Sequence, residues 1–275
     1  MAQEQQQNIK NAVVRAIEGT GDTVDGTIAV ASNATTNALK GVGKIGETVP
    51  EVVSDVITGS LQAAHEVGSE LGNVVKGSII GIVRGTAEVA SVTIGSIAGI
   101  IRTAIGSASD IGADIGTVVS RGTQGAIAAT KDISLSATDA AVGIAQGAII
   151  GVSKVGGNLA VTAKNVVRGS ITGASEIGQD TAQAASSAAR GVIKGAAEVG
   201  GDLATVAKGA VEGAIDAAKD IGLKAEDAAS AAATGAIEGA REIGESAVKA
   251  VTSAVTTTIS GVKVVVKEPF KGSSK

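Results

Sequence analysis

The apolar residues of this chain recur on a single long period. Displaced by 22 residues, the sequence falls onto itself, and residues 19–260 read as eleven copies without insertion or deletion. Internal repeats are the first organisation to look for, because they decide the architecture. Within each copy the apolar positions follow one another at spacings of three and four. On a helical wheel they fill about half the circumference and the polar positions fill the rest, the signature of an amphipathic helix. Twenty-two residues are two hendecads, or six turns at about 3.67 residues per turn, so an apolar stripe stays on one face with little supercoiling. The expected fold class is all-α: a long amphipathic helix or helices built from tandem two-hendecad repeats, extended rather than globular. As one helix, residues 9–260 would be about 380 Å long at 1.5 Å per residue. Such a helix must lie on something, fold back or assemble.

Four columns define the unit. One is β-branched: Ile45, Val67, Val89, Ile111, Ile133, Val155, Ile177, Val199, Ile221 and Ile243, broken only by Thr23. A second is always branched aliphatic: Leu39, Leu61, Val83, Ile105, Ile127, Ile149, Ile171, Ile193, Ile215, Ile237 and Ile259. Both columns are expected to supply apolar surface contacts. A third is always charged and mostly acidic, with Lys44 and Lys154 as the exceptions. A fourth, directly after the first, is mostly glycine, from Gly46 and Gly68 to Gly222 and Gly244. Basic residues such as Lys76, Arg84, Arg102, Arg168, Arg190 and Lys194 gather on the flank of the polar half opposite the acidic column. This arrangement suits helices lying side by side, or one helix lying on a surface.

A β-solenoid is the competing architecture, since Gly191-Val192-Ile193-Lys194-Gly195 alternates and β-branched residues favour strands. The Ala-rich run 228–233 and the three-and-four spacing oppose it. Glycine complicates the helical reading, because each one costs a helix about 1 kcal/mol relative to alanine. Either an external apolar surface or close helix packing must offset that cost. The pairs Gly147/Gly151, Gly169/Gly173, Gly191/Gly195 and Gly235/Gly239 are spaced as GxxxG, which permits backbones to approach closely.

The chain divides into a lead-in (1–18), two degenerate copies carrying Pro50 (19–62), regular repeats (63–260) and a tail (261–275). Pro50 is expected to kink the helix or mark a joint near Val49. In the tail, Val262–Val266 reads as a short strand or a last turn, and Pro269 ends regular structure.

Composition narrows the function. The chain holds 39 Gly among 275 residues, one Phe (Phe270), and no Trp, Tyr or Cys. Hydrophobic residues make up 44%, the net charge is −4 and mean hydropathy is +0.32, so there is apolar surface to hide but no large side chain to hide it with. A single histidine, His65, and no cysteine leave no common zinc site and no His-activated nucleophile. Carboxylates repeated every 22 residues stand about 33 Å apart along one helix and cannot pair within it. No basic stripe or aromatic platform offers itself to nucleic acid. These features point to a non-enzymatic protein with no cofactor, no metal, no small-molecule substrate and no nucleic-acid partner. The N-terminus lacks the basic start and apolar run of a signal peptide.

The period and the blend of Gly, Ala, Thr, Val and Lys over residues 9–260 resemble the 11- and 22-residue repeats of perilipins, exchangeable apolipoproteins and synucleins. In character they are also similar to granule-coating phasins. The repeats depart from those families in lacking the proline that often opens apolipoprotein repeats and the Lys-rich core of synucleins; the nearest equivalent is Glu176-Ile177-Gly178. The resemblance implies a cytoplasmic scaffold, peripheral to a membrane, lipid droplet or storage granule, with its apolar half on that surface. The alternative is a self-assembling homo-oligomer forming a filament, sheet or tube by lateral helix packing. A hydration or stress protectant ranks third, since the positive mean hydropathy opposes it.

Overall fold

A computed structural model describes residues 2–20, 22–40, 45–67, 70–133 and 135–266; Lys44, Gly68, Pro269 and Phe270 lie outside them. The period is folded back on itself. Twelve α-helices follow one another among the described residues: α1 (Ala2–Thr20), α2 (Thr23–Lys40), α3 (Ile45–Val67), α4 (Leu71–Ala87), α5 (Ile94–Asp110), α6 (Ile115–Ala129), α7 (Ala137–Lys154), α8 (Leu159–Glu176), α9 (Thr181–Glu198), α10 (Leu203–Asp220), α11 (Ala225–Ile243) and α12 (Glu245–Val255). From α7 to α10 each unit is an 18-residue helix and a four-residue reversal. Eighteen residues are five turns of 3.6, so each helix ends in phase with its start and the next begins with the same face inward. The all-α expectation holds. The extended shape does not.

The fourth column breaks the long helix. Gly112, Gly156, Gly178, Gly200 and Gly222 adopt φ between 68° and 73°, the left-handed conformation that glycine enters without a Cβ penalty. Each sits just past a helix, where a six-to-one Schellman bond satisfies a terminal carbonyl: Gly157 N–H donates to Val152 O at 2.9 Å, Gln179 to Ala174 at 2.8 Å and Gly201 to Ala196 at 2.7 Å. Two residues after the glycine stands an N-cap. The side chains of Asp114, Asn158, Asp180 and Asp202 accept hydrogen bonds from backbone N–H groups in the first turn of α6, α8, α9 and α10. Stop and restart signals thus occupy four consecutive positions.

Successive helices run antiparallel, and each packs most extensively on the helix two places along, forming one odd-numbered and one even-numbered layer. The core lies between and within the layers. Its contents are small: Ile105, Ile127, Ile149, Ile171, Ile193 and Ile215 are fully buried among alanines and valines. Total exposed surface is 11,900 Å², against about 10,700 Å² for a compact monomer of 26.5 kDa.

The ends depart from the unit. Pro50 lies inside α3, which runs on through it. Ile259 is not helical: it belongs to a two-stranded hairpin, Thr258–Ile259 paired antiparallel with Val262–Lys263 through Ser260 and Gly261 at φ 51° and 81°. Both residues sit in the positive-φ region that a tight two-residue hairpin turn requires. Strand pairing thus begins at Val262, as the tail suggested, and stops at Lys263.

Candidate functional site

The features expected to contact an apolar surface divide between two environments. Ile105, Ile127, Ile149, Ile171, Ile193, Ile215, Ile237 and Ile259 are at most 5% exposed and face other helices of the same chain. The other column lies at or next to the helix C-termini, with Ile111, Val155, Ile177, Val199 and Ile221 as the C-caps themselves. Val89, Ile133, Val155, Ile177, Val199 and Ile221 are partly buried there, while Ile111 and Ile243 are 39% and 43% exposed. Ile45 and Val67 begin and end α3, and their side chains lie outside the described part. The apolar half of the repeat is therefore turned inward.

The glycines line the seams within each layer. A Cβ on Gly191 or Gly235 would overlap the carbonyl oxygen of Val142 or Ser186, and one on Gly169 that of Ser120. On Gly147 it would come within 2.8 Å of Ala98 O, on Gly173 within 2.7 Å of Gln124 O, on Gly195 within 3.0 Å of Gln146 O and on Gly239 within 2.9 Å of Arg190 O. On Gly151 it would meet the Ile105 side chain at 3.2 Å. Along these seams parallel helices touch backbone to backbone. Ordinary helix pairs stand about 8–10 Å apart with side chains between them. The close contacts between small residues leave some hydroxyls stranded: the Oγ atoms of Thr35, Ser60, Ser78, Thr123 and Ser170 are buried without a hydrogen-bond partner.

On the outer faces the two charged flanks meet across the seams from α6 to α11. Arg168 pairs with Asp220 at 2.7 Å, Arg190 with Glu242, and Lys164 with Asp216 at 2.7 Å, every pair 52 residues apart. Gln124–Glu176, Gln146–Glu198 and Thr36–Glu88 repeat the spacing with neutral donors. Lys194 reinforces Glu242 at 3.1 Å, and hydrogen bonds from Arg190 and Lys194 hold that carboxyl below its ordinary pKa. The pairs are solvent-exposed, so each contributes about 0–1 kcal/mol. The ladder follows the register of the seams and adds little stability.

The capping aspartates are the other perturbed acids. Hydrogen bonding to Thr117 lowers the pKa of Asp114, and hydrogen bonding to Thr205 lowers that of Asp202. Both aspartates are N-caps, of α6 and α10, and the lowering follows from that role. His65 is exposed near the end of α3. Among the described residues no three His, Cys, Asp or Glu side chains gather as a metal site, and no helix is long and apolar enough to cross a membrane.

Sequence reasoning named the glycine pairs and the charged flanks but missed the capping column. The signal was present as glycine followed two residues later by Asp or Asn, at Gly112/Asp114, Gly156/Asn158, Gly178/Asp180 and Gly200/Asp202. No family model matches the chain, and no curated protein matches it.

Proposed function

We propose that this chain is a non-enzymatic amphipathic scaffold of the cytoplasm that coats a membrane, lipid droplet or storage granule, and that the two-layer stack is its closed, surface-free form. The observation that carries this reading is the inward-turned isoleucine column, with one residue per unit sealed only by small side chains. Apolar area gains about 25 cal/mol per Å² whether it is covered by a helix or by hydrocarbon. Exchanging one cover for the other therefore leaves that large term nearly unchanged. What opening costs is the backbone contact at the seams and the exposed ion pairs. The buried hydroxyls without partners offset part of that cost, since each regains hydrogen bonding on exposure. Reversals built on one left-handed glycine let helices move apart without unwinding.

Assembly into a filament, sheet or tube would extend the same seam to a second copy. One observation opposes this: α12 and the hairpin pack over α10 and α11, and covered terminal units are how repeat stacks stop.

Opening is testable with a lock. A Cβ on Gly239 would lie 3.2 Å from that of Ile193, close to the roughly 3.5–4.5 Å of a disulfide. The chain has no native cysteine to interfere. The double substitution Ile193→Cys/Gly239→Cys, reduced, is expected to float with anionic vesicles and with an oil emulsion. The oxidised form should stay in solution. Equal flotation of both forms would remove opening from the reading, and failure of the wild-type chain to float on either would remove the coat.

A further inference from the structure

One seam of the stack is not closed. The odd-layer helices α3 and α5 share far less contact than α5 and α7 or α7 and α9 do. Between α3 and α5, bounded at its end by α4 and α7, lies a cavity of about 600 Å³. That volume falls within the roughly 300–1,000 Å³ of small-molecule sites. Its walls are aliphatic (Val49, Pro50, Val53 and Ile100), and its floor is the face of α5 carrying Gly99 and Gly106. A Cβ on either glycine would meet nothing within 4 Å. Every glycine pair named above abuts a neighbouring helix, whereas these two face the cavity.

The charges at its mouth are also exceptional. Among the described lining residues the charged ones are Arg102 and Lys154, both exposed and both cationic. They stand 52 residues apart, the spacing of the ion-pair ladder. Each later rung of that column joins a donor to an acid: Gln124–Glu176, Gln146–Glu198, Arg168–Asp220 and Arg190–Glu242. Here the acid is replaced by Lys154, so among the described lining residues two cations and no acid face the site. Thr86, Ser96 and Thr103 also line the cavity.

We propose that the α3/α5 cavity binds a long-chain fatty acid, its carboxylate held by Arg102 and Lys154 and its alkyl chain lying along the bare glycine face of α5. A guanidinium beside an ammonium is a strong carboxylate receptor, and glycine gives a smooth wall on which an unbranched chain can lie. Ring systems find no stacking partner here, because none of the described lining residues is aromatic. The site belongs to the closed stack and stands whether or not the stack opens on a surface.

The test is displacement of dansylaminoundecanoic acid from the full chain, which has no tryptophan or tyrosine to add background. Palmitate should displace the probe, while butyrate and hexadecanol should not, since each lacks one half of the recognised structure. Lys154→Glu rebuilds the ladder rung with Arg102. It should fold normally and weaken probe binding about tenfold or more, the size of one lost charge-assisted hydrogen bond. Gly99→Leu fills the floor and should abolish binding without lowering the melting temperature; should that variant fail to fold, Lys154→Glu alone decides. Unsaturable binding, equal displacement by hexadecanol and palmitate, or undiminished affinity in Lys154→Glu would each overturn the proposal.

Discussion

The stack is regular from α7 to α11 and irregular from α1 to α5, although the repeat runs through both at the same length. In the regular half every seam glycine meets the residue 49 positions earlier: Gly169 meets Ser120, Gly191 meets Val142, Gly213 meets Lys164 and Gly235 meets Ser186. In the irregular half the offset is 53: Gly59 meets Gln6, Gly77 meets Val24, Gly81 meets Ile28 and Gly85 meets Ser32. The slip is four residues, close to one helical turn. Helix α2 likewise starts at Thr23, four residues ahead of its place in the unit, and α3 gains an extra turn before Pro50. Where Gly112 ends α5, its counterpart one repeat earlier is Ala90. The link after α4 then lengthens to residues 88–93, and the N-cap moves one position, to Thr93. The helix that follows is the one whose seam with α3 stays open. A shared period therefore does not fix register; the left-handed glycine and the cap beside it do.

Four substitutions sharpen this contrast, each read from urea-unfolding midpoints. The largest effect is expected for Gly191→Val, whose side chain must part α9 from the Val142 carbonyl; a loss of about 3 kcal/mol or more is expected from such overpacking. A loss below about 1 kcal/mol would mean that the seam is looser than described. Next is Gly178→Ala, which forces alanine into the left-handed region at about 1–2 kcal/mol. Asp180→Ala removes the N-cap of α9 and should cost about 1 kcal/mol. The irregular half gives the opposite sign: Gly99→Ala adds a methyl into open space in mid-helix and should stabilise by about 0.5–1 kcal/mol. A destabilising result there would place another helix against α5.

A smaller effect is expected with pH. Asp114 and Asp202 have folded pKa values below the ordinary 3.8. Their contribution is complete above the unfolded value and is lost as pH falls through the folded one. Asp114→Asn/Asp202→Asn keeps both caps without a titrating group, so its stability should fall less steeply than wild type below about pH 4. Parallel acid limbs for the two proteins would refute that assignment.

Much of the fold was legible in the sequence, for reasons that name its limits. Ile105 through Ile237 read as a column that must be covered, because an apolar residue on a fixed face cannot stay in water; sequence reasoning assigned it to an outside surface, and the fold covers it with the chain's own helices. Gly191 and Gly195 read as a close contact because glycine at that spacing otherwise only weakens a helix. Arg168 and Asp220 read as opposite flanks, which is how they meet. The reversal was hidden because six turns of continuous helix and five turns plus a four-residue link have the same length and both keep the stripe on one face. Gly200 and Gly195 are the same residue type in different conformations, and only Asp202, two residues after the first, separates them. The α3/α5 cavity was not legible at all, since it arises from a register slip. Its one trace was Lys154 in an acidic column.

Small-angle X-ray scattering from the chain alone in buffer tests the folded-back repeat most directly. A closed two-layer stack of 275 residues should give a radius of gyration near about 20 Å. A rod-like profile, with a largest dimension of hundreds of ångströms and the cross-section of a single helix, would contradict it and restore the continuous helix.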